Sequence, residues 1–227
     1  MPRAVASIAR GDAIEPVWRN EAGGLTFRLA SPRGLTRFVK FGAGAEQEAA
    51  RLRWAVAHTP VPEVLEVGAD AEGEWLVTRG MDALSAVDER WLRHPEVAVR
   101  AMGVGLRALH ESLPVDDCPF DWSVDERAAR AGLARDIVDA APPVDRLVVC
   151  HGDACAPNTL LTDAGEFAAH VDLGRLGLAD RWADIAIGAW STEWNFGPGW
   201  EPLYYESYGV EPDPERLTFY RALWETT

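Results

Sequence analysis

Three polar side chains in the second half of the chain have the types and spacing of a catalytic loop. Asp153 follows a short apolar run at residues 147–150, and Asn158 stands five residues further along. Asp172 follows a later pair of apolar segments, which are separated by the turn-forming residues 162–166. Because that spacing predicts a β-hairpin, we expect the chain to return Asp172 to the neighbourhood of Asp153 and Asn158.

Two carboxylates and an amide oxygen on adjacent loops are the hard oxygen ligands that Mg²⁺ takes together with phosphate. A carboxylate left off the metal could instead accept a proton from a substrate hydroxyl. Taken singly, each residue has a commoner role, since Asp and Asn are frequent turn and capping residues. The three in this order along the chain argue against coincidence.

His151 is interpreted as a structural residue that orients this loop. A zinc ligand is the alternative, but no second His or Cys stands at ligand spacing on a helix, and Cys150 points to the opposite face of its strand. The cysteines are Cys118, Cys150 and Cys155. Their odd number, with two near the loop, argues against a disulfide framework and predicts a reducing, cytoplasmic setting.

The layout resembles the aminoglycoside phosphotransferase family, particularly its 3'-phosphotransferases. The resemblance rests on the segments CHGDACAPN, VDLGRLGLADRWADIA and LPVDDCPFD. His-Gly-Asp stands where protein kinases have His-Arg-Asp, and Asp-Leu-Gly where they have Asp-Phe-Gly. The resemblance implies an α+β, two-lobed, protein-kinase-like fold, with a small β-rich lobe at residues 1–80 and a larger, mainly helical lobe at residues 81–227.

The resemblance also implies a reaction, the transfer of the γ-phosphoryl group of ATP to a hydroxyl of an aminoglycoside antibiotic, which gives resistance by inactivation. Asp153 is then the catalytic base, and Asn158 and Asp172 hold Mg²⁺. Two alternatives stay open: a kinase for another small hydroxylated molecule, and a nucleotide-binding pseudokinase without acceptor activity.

Three charged residues after the hairpin are predicted to contact ligands or to support the loop. Arg175 fits the family position that contacts nucleotide phosphate or acceptor, although it could equally pair with Asp180 or Asp184. Asp180 is a predicted N-cap of the next helix, and Asp184 is predicted to accept hydrogen bonds from the catalytic loop.

The first lobe is predicted to supply the phosphate contacts. Strands are expected at residues 14–18, 25–29, 37–41, 61–64 and 74–78, with a helix at 46–54. Lys40 is the candidate for the α- and β-phosphates, Glu48 its ion-pair partner and Glu46 the runner-up. Gly23 and Gly24 would let the backbone approach phosphates closely.

Residues 77–82 are predicted to form the nucleotide hinge, by their order in the chain. The second lobe is expected to contain helices at 96–113 and 124–140, with His110 as a packing or capping residue. The segment at 122–146 is shorter than in the family, where its helices help to shape the aminoglycoside pocket. The tryptophans expected in the core of this lobe are Trp182, Trp190, Trp194, Trp200 and Trp224.

The acceptor is predicted to be a cation. The formal net charge of −14 and the pI near 4.7 suit a cationic small molecule and argue against nucleic acid or an anionic membrane as a partner. Glu225 resembles the family's terminal-helix carboxylate that binds a substrate ammonium, and Glu193 lies near its other acidic contact. No segment has the apolar length of a signal peptide or a membrane span. A monomer and a dimer both remain open.

Overall fold

The protein is described by a computed structural model that covers residues 1–19, 23–31 and 34–227. These residues form two compact units. The first unit contains Met1–Ala57 and Val61–Asp82, and the second contains His58–Pro60 and Ala83–Thr227. That His58–Pro60 belongs with the second unit was not predicted. There, the backbone N–H of His170 donates to the carbonyl oxygen of Pro60 at 3.2 Å.

Two short segments of the first unit lie outside the described residues. They are residues 20–22, directly before Gly23 and Gly24, and Pro32 with Arg33.

An antiparallel sheet forms the centre of the first unit. Its strands are β1 (Ala13–Arg19), β2 (Leu25–Ala30), β3 (Arg37–Phe41), β4 (Val64–Ala69) and β5 (Glu74–Arg79). Their order across the sheet is β1-β2-β3-β5-β4. The period-two pattern of a half-buried strand is clear in β2, where Phe27 and Leu29 are buried and Arg28 between them is exposed.

The first unit has two helices, of which only the second was predicted. Helix α2 spans Ala45–Ala55, and helix α1 spans Arg3–Ala9. Helix α1 places Val5 and Ile8 in one hydrophobic cluster with Leu29 of the sheet. Its apolar residues recur at helical spacing, which is the signal that could have revealed it.

The predicted strand at residues 61–64 is wrong, because β4 begins only at Val64. Pro62 has no backbone N–H to donate to a sheet, so the chain joins the ladder after it. The predicted turn between β4 and β5 is confirmed. The carboxylate of Asp70 accepts hydrogen bonds from the backbone N–H groups of Glu72 at 2.7 Å and Gly73 at 3.2 Å.

The second unit is mainly helical. Its helices are α3 (Glu89–Leu92), α4 (Pro95–Ser112), α5 (Val124–Ala131), α6 (Arg135–Asp139), α7 (Trp182–Phe196), α8 (Glu201–Tyr208) and α9 (Pro214–Thr226). Its short strands are β6 (Leu84–Ser85), β7 (Leu147–Cys150), β8 (Thr159–Leu161), β9 (Phe167–His170) and β10 (Gly177–Asp180). Strands β6, β8 and β9 form one sheet, and β7 pairs with β10 in another.

The predicted helix at 124–140 is wrong in its length, because the chain folds there into two helices, α5 and α6. Gly132 ends α5 in the left-handed conformation with φ of 67°. The backbone N–H of Leu133 then donates to the carbonyl oxygen of Ala128 at 2.9 Å, which satisfies a carbonyl group at the end of the helix. A glycine near the end of an apolar pattern is the signal that was overlooked.

The tryptophan prediction is only partly correct. Trp182 is buried at 2% exposure, whereas Trp194 is 50% exposed on the last turns of α7. Trp190, Trp200 and Trp224 are partly buried. Within the part of the chain that the structure describes, no helix combines the length and the apolar character needed to cross a bilayer.

Candidate active site

The candidate catalytic loop leaves β7 at Cys150 and turns sharply at Gly152. Gly152 has a φ of +82°, which favours glycine. A Cβ atom at this position would lie 2.2 Å from the carbonyl oxygen of Arg175. The loop and the chain around Arg175 therefore pack backbone to backbone, which explains why glycine stands between His151 and Asp153.

Backbone and side-chain hydrogen bonds tie Asn158 to both neighbouring segments. Its side-chain Nδ2 donates to the carbonyl oxygen of Asp153 at 2.9 Å. Its own carbonyl oxygen accepts a hydrogen bond from the backbone N–H of Val171 at 3.0 Å. The hairpin of β8 and β9 thus returns the chain before Asp172 to Asn158, as predicted. Since Nδ2 is already bonded, Oδ1 is the amide atom that remains for a cation.

Asp172 has a backbone conformation that is rare for a residue with a side chain. Its φ is 63°, and among the described non-glycine residues only Arg10 also has a positive φ. Such a conformation persists when the surrounding structure enforces it, and it is characteristic of functional sites. Here the preceding residue, Val171, is held through both its N–H and its carbonyl group.

His151 performs the structural role predicted for it. Its Nε2 donates to the carbonyl oxygen of Val171 at 3.0 Å, and its Nδ1 accepts a hydrogen bond from the backbone N–H of Asp153 at 3.2 Å. The imidazole therefore joins the catalytic loop to the residue before Asp172. This pattern requires the neutral tautomer with the proton on Nε2.

One oxygen of the Asp153 carboxylate has no hydrogen-bond partner among the described residues. This atom, Oδ1, is buried. Leaving a buried acceptor unpaired costs roughly 1–3 kcal/mol, so it is expected where a ligand completes the site. Burial raises the pKa of the nearby Cys155 thiol far above its ordinary value, and the charge of Asp153 raises it further. Cys155 is therefore a neutral thiol beside the carboxylate.

Asp184 accepts hydrogen bonds from the backbone of the candidate catalytic loop, as predicted. Its carboxylate accepts hydrogen bonds from the backbone N–H groups of His151 at 2.5 Å and Gly152 at 2.9 Å. Burial tends to raise the pKa of Asp184, but hydrogen bonds from His110 and Gly152 and the nearby imidazoles bring it below its ordinary value. Asp184 therefore stays ionised although it is fully buried.

His110 was missed as part of this network. Its Nε2 lies 3.0 Å from Asp184 Oδ2, and its Nδ1 lies 2.9 Å from the hydroxyl of Tyr208. The side-chain donor atoms of His110, Cys150 and Asp184 lie within 4.8 Å of one another, which is close enough for a metal ion. However, Asp184 already accepts several hydrogen bonds, and burial raises the pKa of Cys150 well above its ordinary value, so the thiol is neutral. The cluster therefore fits a loop anchor rather than a metal site.

In the first unit, Lys40 and Glu48 form the predicted ion pair. The distance from Lys40 Nζ to Glu48 Oε2 is 2.7 Å, and Glu48 is buried. The runner-up, Glu46, is exposed on α2 and pairs instead with Arg53, with 3.7 Å between Glu46 Oε1 and Arg53 Nη1. Gly23 has a φ of +87°, in line with a glycine turn, and Gly24 directly precedes β2.

Arg175 pairs with neither of the carboxylates considered for it. Its guanidinium carbon lies 5.5 Å from the ring centre of Trp122 and 5.2 Å from that of Trp224. Asp180 is bonded instead to Arg216, at 2.9 Å. The prediction that Asp180 is the N-cap of α7 is wrong, because Arg181 occupies that position. Asp180 lies one residue earlier, and its Oδ1 accepts a hydrogen bond from the backbone N–H of Trp182 at 3.1 Å.

The two predicted acceptor carboxylates lie on different helices of the second unit. Glu193 is exposed on α7, and Glu225 is exposed near the end of α9. Neither forms an ion pair with another described residue. Their roles in substrate binding remain predictions.

Together, the loop, the hairpin and the Lys–Glu pair define a phosphoryl-transfer enzyme of the kinase-like class. The profile of the Phosphotransferase enzyme family matches residues 11–132 and 123–220. The chain belongs to this family.

Related proteins have aminoglycoside-modifying activities. The chain is 41% identical to an aminoglycoside 3'-phosphotransferase of Streptomyces fradiae, in an alignment that covers 78% of each protein. It is 34% identical to the streptomycin 3''-kinase of Streptomyces griseus, in an alignment that covers 91% of this chain and 89% of the relative.

Solved structures share the two-lobed fold. The crystal structure of aminoglycoside-3'-phosphotransferase of type VIII has a TM-score of 0.83 at 29% identity, and the match covers 99% of this chain and 98% of that one. Aminoglycoside phosphotransferase APH(3'')-Id of Streptomyces rimosus, in complex with ADP and streptomycin, has a TM-score of 0.75 at 28% identity, with coverage of 100% and 99%.

The buried His170 predicts a pH dependence of stability. Burial is the main cause that lowers the pKa of His170 well below its ordinary value. Below about pH 6.5, His170 binds a proton in the unfolded chain but stays neutral in the folded protein. The unfolding free energy should therefore fall as the pH drops from 7 to 5, by up to about 1.4 kcal/mol per pH unit from this group. Denaturant unfolding at several pH values measures the slope.

The matched variant is His170→Phe, which keeps a ring beside Phe167 and His151 but removes the titrating group. It should show a shallower decline between pH 7 and pH 5. Equal slopes for the variant and the unaltered protein would contradict the assignment.

Proposed function

We propose that this protein transfers the γ-phosphoryl group of ATP to a hydroxyl group of an aminoglycoside, and that it thereby gives resistance to the antibiotic. The proposal rests on the carboxylate of Asp153. Its Oδ1 is buried and has no hydrogen-bond partner among the described residues, and the loop that carries it lies near Asn158 and Asp172. The identity to 3'-phosphotransferases supports the acceptor class.

Each residue has a defined part in the proposed reaction. Asp153 orients the acceptor hydroxyl and takes its proton as the oxygen forms a bond to the γ-phosphorus, while the bond from that phosphorus to the ADP oxygen breaks. Lys40, held by Glu48, binds the α- and β-phosphates. Bound Mg²⁺ would neutralise charge on the phosphates. Asn158 and Asp172 fit it, because they offer an amide and a carboxylate oxygen.

Asp172→Ala should weaken the binding of Mg²⁺-ATP at least about 10-fold, because a charged metal ligand is lost. Titration calorimetry in the presence and absence of Mg²⁺ measures this effect. Asp163→Ala is the matched control, since Asp163 is an exposed carboxylate in the turn between β8 and β9. If both variants bind Mg²⁺-ATP like the unaltered protein, Asp172 is not a ligand.

The acceptor is proposed to be held by carboxylates. A net charge of −14 attracts a polycationic antibiotic, and Glu225 and Glu193 supply exposed carboxylates for its ammonium groups. Glu225→Gln should raise the KM for the aminoglycoside about 5-fold and leave the KM for ATP unchanged, because one exposed charge pair is lost. Steady-state kinetics with each substrate varied separately test this. An equal rise in both constants would indicate a folding defect instead.

The function is tested by ADP release with Mg²⁺-ATP across kanamycin, neomycin, streptomycin and several alcohols that are not aminoglycosides. Mass spectrometry of the product identifies the phosphorylated compound and, by fragmentation, the ring that carries the phosphate. Turnover on an aminoglycoside supports the proposal. Turnover only on another alcohol would favour a different small-molecule kinase, and nucleotide binding without any turnover would favour the pseudokinase.

The cellular setting is also part of the proposal. All three cysteines are free thiols in the structure, as expected of a protein that works in a reducing cytoplasm. ATP is available in that compartment, and aminoglycosides must be intercepted there before they reach their target.

A further inference from the structure

Four side chains from separate segments form a stack beside the catalytic loop. We call it the arginine–tryptophan stack, and its members are Arg127, Trp122, Arg175 and Trp224. The guanidinium carbon of Arg127 lies 5.0 Å from the ring centre of Trp122. Arg175 lies over both tryptophan rings, at 5.5 Å and 5.2 Å. All three distances are within the range of about 6 Å in which a cation is attracted to an aromatic face.

The stack holds Arg175 without using its hydrogen-bond donors. A guanidinium that lies over a ring is attracted through its face, while its N–H groups point outward in its plane. Among the residues that the structure describes, Arg175 donates no side-chain hydrogen bond and forms no ion pair. This is notable in a chain with 36 acidic residues against 22 basic ones. The donors of Arg175 are therefore available to a ligand that presents oxygen atoms.

The backbone fixes where these donors are presented. The carbonyl group and Cβ of Arg175 lie against Gly152, the residue directly before Asp153. The backbone of Arg175 is thus placed directly against the residue that precedes the proposed catalytic base.

A second arginine, the buried Arg127, lies over the same tryptophan ring as Arg175. Arg127 is 1% exposed, its Nη1 has no partner among the described residues, and its Nη2 donates only to the hydroxyl of Thr227, at 2.8 Å. Burial lowers the pKa of Arg127 to about 10, and the charge of Arg175 contributes to the lowering. Arg127 therefore remains charged at neutral pH and adds positive charge to this region, which favours the approach of an anion.

We propose that Trp122 and Trp224 are positioning residues that hold Arg175 so that its N–H donors bind the oxygens of the terminal phosphoryl group before and during transfer. The inference rests on the proposed function. The contact of Arg175 with phosphate is expected from the family resemblance, whereas the two tryptophans have been assigned no role. They supply a rigid, uncharged support that a carboxylate could not replace, because a carboxylate would occupy the donors.

The experiment compares four variants of the full chain: Arg175→Ala, Trp224→Leu, Trp224→Phe and Trp91→Leu. Trp91→Leu is the matched control, because Trp91 also has an arginine over its ring, with Arg90 at 4.7 Å, but lies on α3 and outside the stack. Stability is measured by thermal unfolding. Turnover is measured per folded molecule, and calorimetry gives the affinities for Mg²⁺-ADP and for the non-hydrolysable analogue adenylyl imidodiphosphate.

Arg175→Ala should lower kcat about 100-fold, as the loss of one group that stabilises transition-state charge does elsewhere. Trp224→Leu should lower kcat about 5-fold to 30-fold, which corresponds to the loss of 1–2 kcal/mol of cation–π attraction. Both should weaken binding of the analogue but not of ADP. Trp224→Phe, which keeps an aromatic face, should recover most of the loss. Trp91→Leu should lower stability without changing the affinity ratio of the two nucleotides.

Two results would overturn the inference. One is a Trp224→Leu variant with unchanged kcat and an unchanged ratio of analogue to ADP affinity, while Arg175→Ala is impaired. The other is an equal effect of Trp91→Leu on that ratio, which would make the stack merely structural. Failure of the unaltered protein to phosphorylate any aminoglycoside would refute the proposed function, and the affinity ratios would still decide whether the tryptophans hold Arg175 for a terminal phosphoryl group.

Discussion

Asp153→Asn is expected to lower the turnover number at least about 100-fold, while the affinity for Mg²⁺-ATP changes less than about 3-fold. The asparagine amide has the shape of the carboxylate but cannot accept the proton of the acceptor hydroxyl, and general-base catalysis contributes about 10²-fold to 10⁴-fold. The unfolding free energy should not fall, because Oδ1 of Asp153 accepts no hydrogen bond among the described residues. Steady-state kinetics, calorimetry and denaturant unfolding measure the three quantities.

The control for this prediction is Asp163→Asn, which makes the same chemical change at an exposed position in the β8–β9 turn. It should leave turnover unchanged. An Asp153→Asn enzyme with more than a third of the original turnover would show that another group accepts the proton.

Gly152→Ala is expected to reduce the unfolding free energy by about 3 kcal/mol or more. The new methyl group would lie 2.2 Å from the carbonyl oxygen of Arg175, at a position with φ of +82°. The left-handed conformation alone costs an alanine roughly 1–2 kcal/mol, and forced contacts in a packed interior add roughly 1–3 kcal/mol. The fraction that folds should also lose turnover, because any shift of Gly152 moves Asp153. Denaturant unfolding and kinetics per folded molecule test both effects.

Gly132→Ala separates the two contributions. Gly132 also has a positive φ, of +67°, but a Cβ there would meet no atom within 4 Å. Its substitution should therefore cost only about 1 kcal/mol, which is the conformational part. If both variants lose the same unfolding free energy, the backbone of Arg175 moves aside at no cost. The close packing of the loop then contributes nothing to stability.

The sequence was informative where function depends on neighbouring residues. Turn chemistry at residues 162–166 predicted the hairpin, and the hairpin joins Asn158 to the segment before Asp172. Lys40 and Glu48 lie only eight residues apart, on a strand and the helix that follows it, and their ion pair was predicted correctly. Periodicity and turn residues act over such short spans, so they can be read from one sequence.

Errors arose where a single residue overrode a pattern. Gly132 divides the predicted helix at 124–140 into α5 and α6, and Pro62 delays the start of β4. Both residues act through the backbone, one by adopting a positive φ and the other by lacking an N–H group. Strand β10 has only four residues and no apolar alternation of its own. It exists because β7 pairs with it, and pairing is a tertiary property.

The sequence by itself determined the fold class, the order of the proposed catalytic residues and the acidic charge of the protein. Only the tertiary structure decided what supports those residues. His110 contacts Asp184 across 74 residues of sequence and Tyr208 across 98. Trp122 and Trp224 meet at Arg175 from segments 53 and 49 residues away in the sequence. The physical reason is that local patterns record which face of an element is apolar, whereas the partner that fills a buried hydrogen bond or covers a cation depends on how the elements pack.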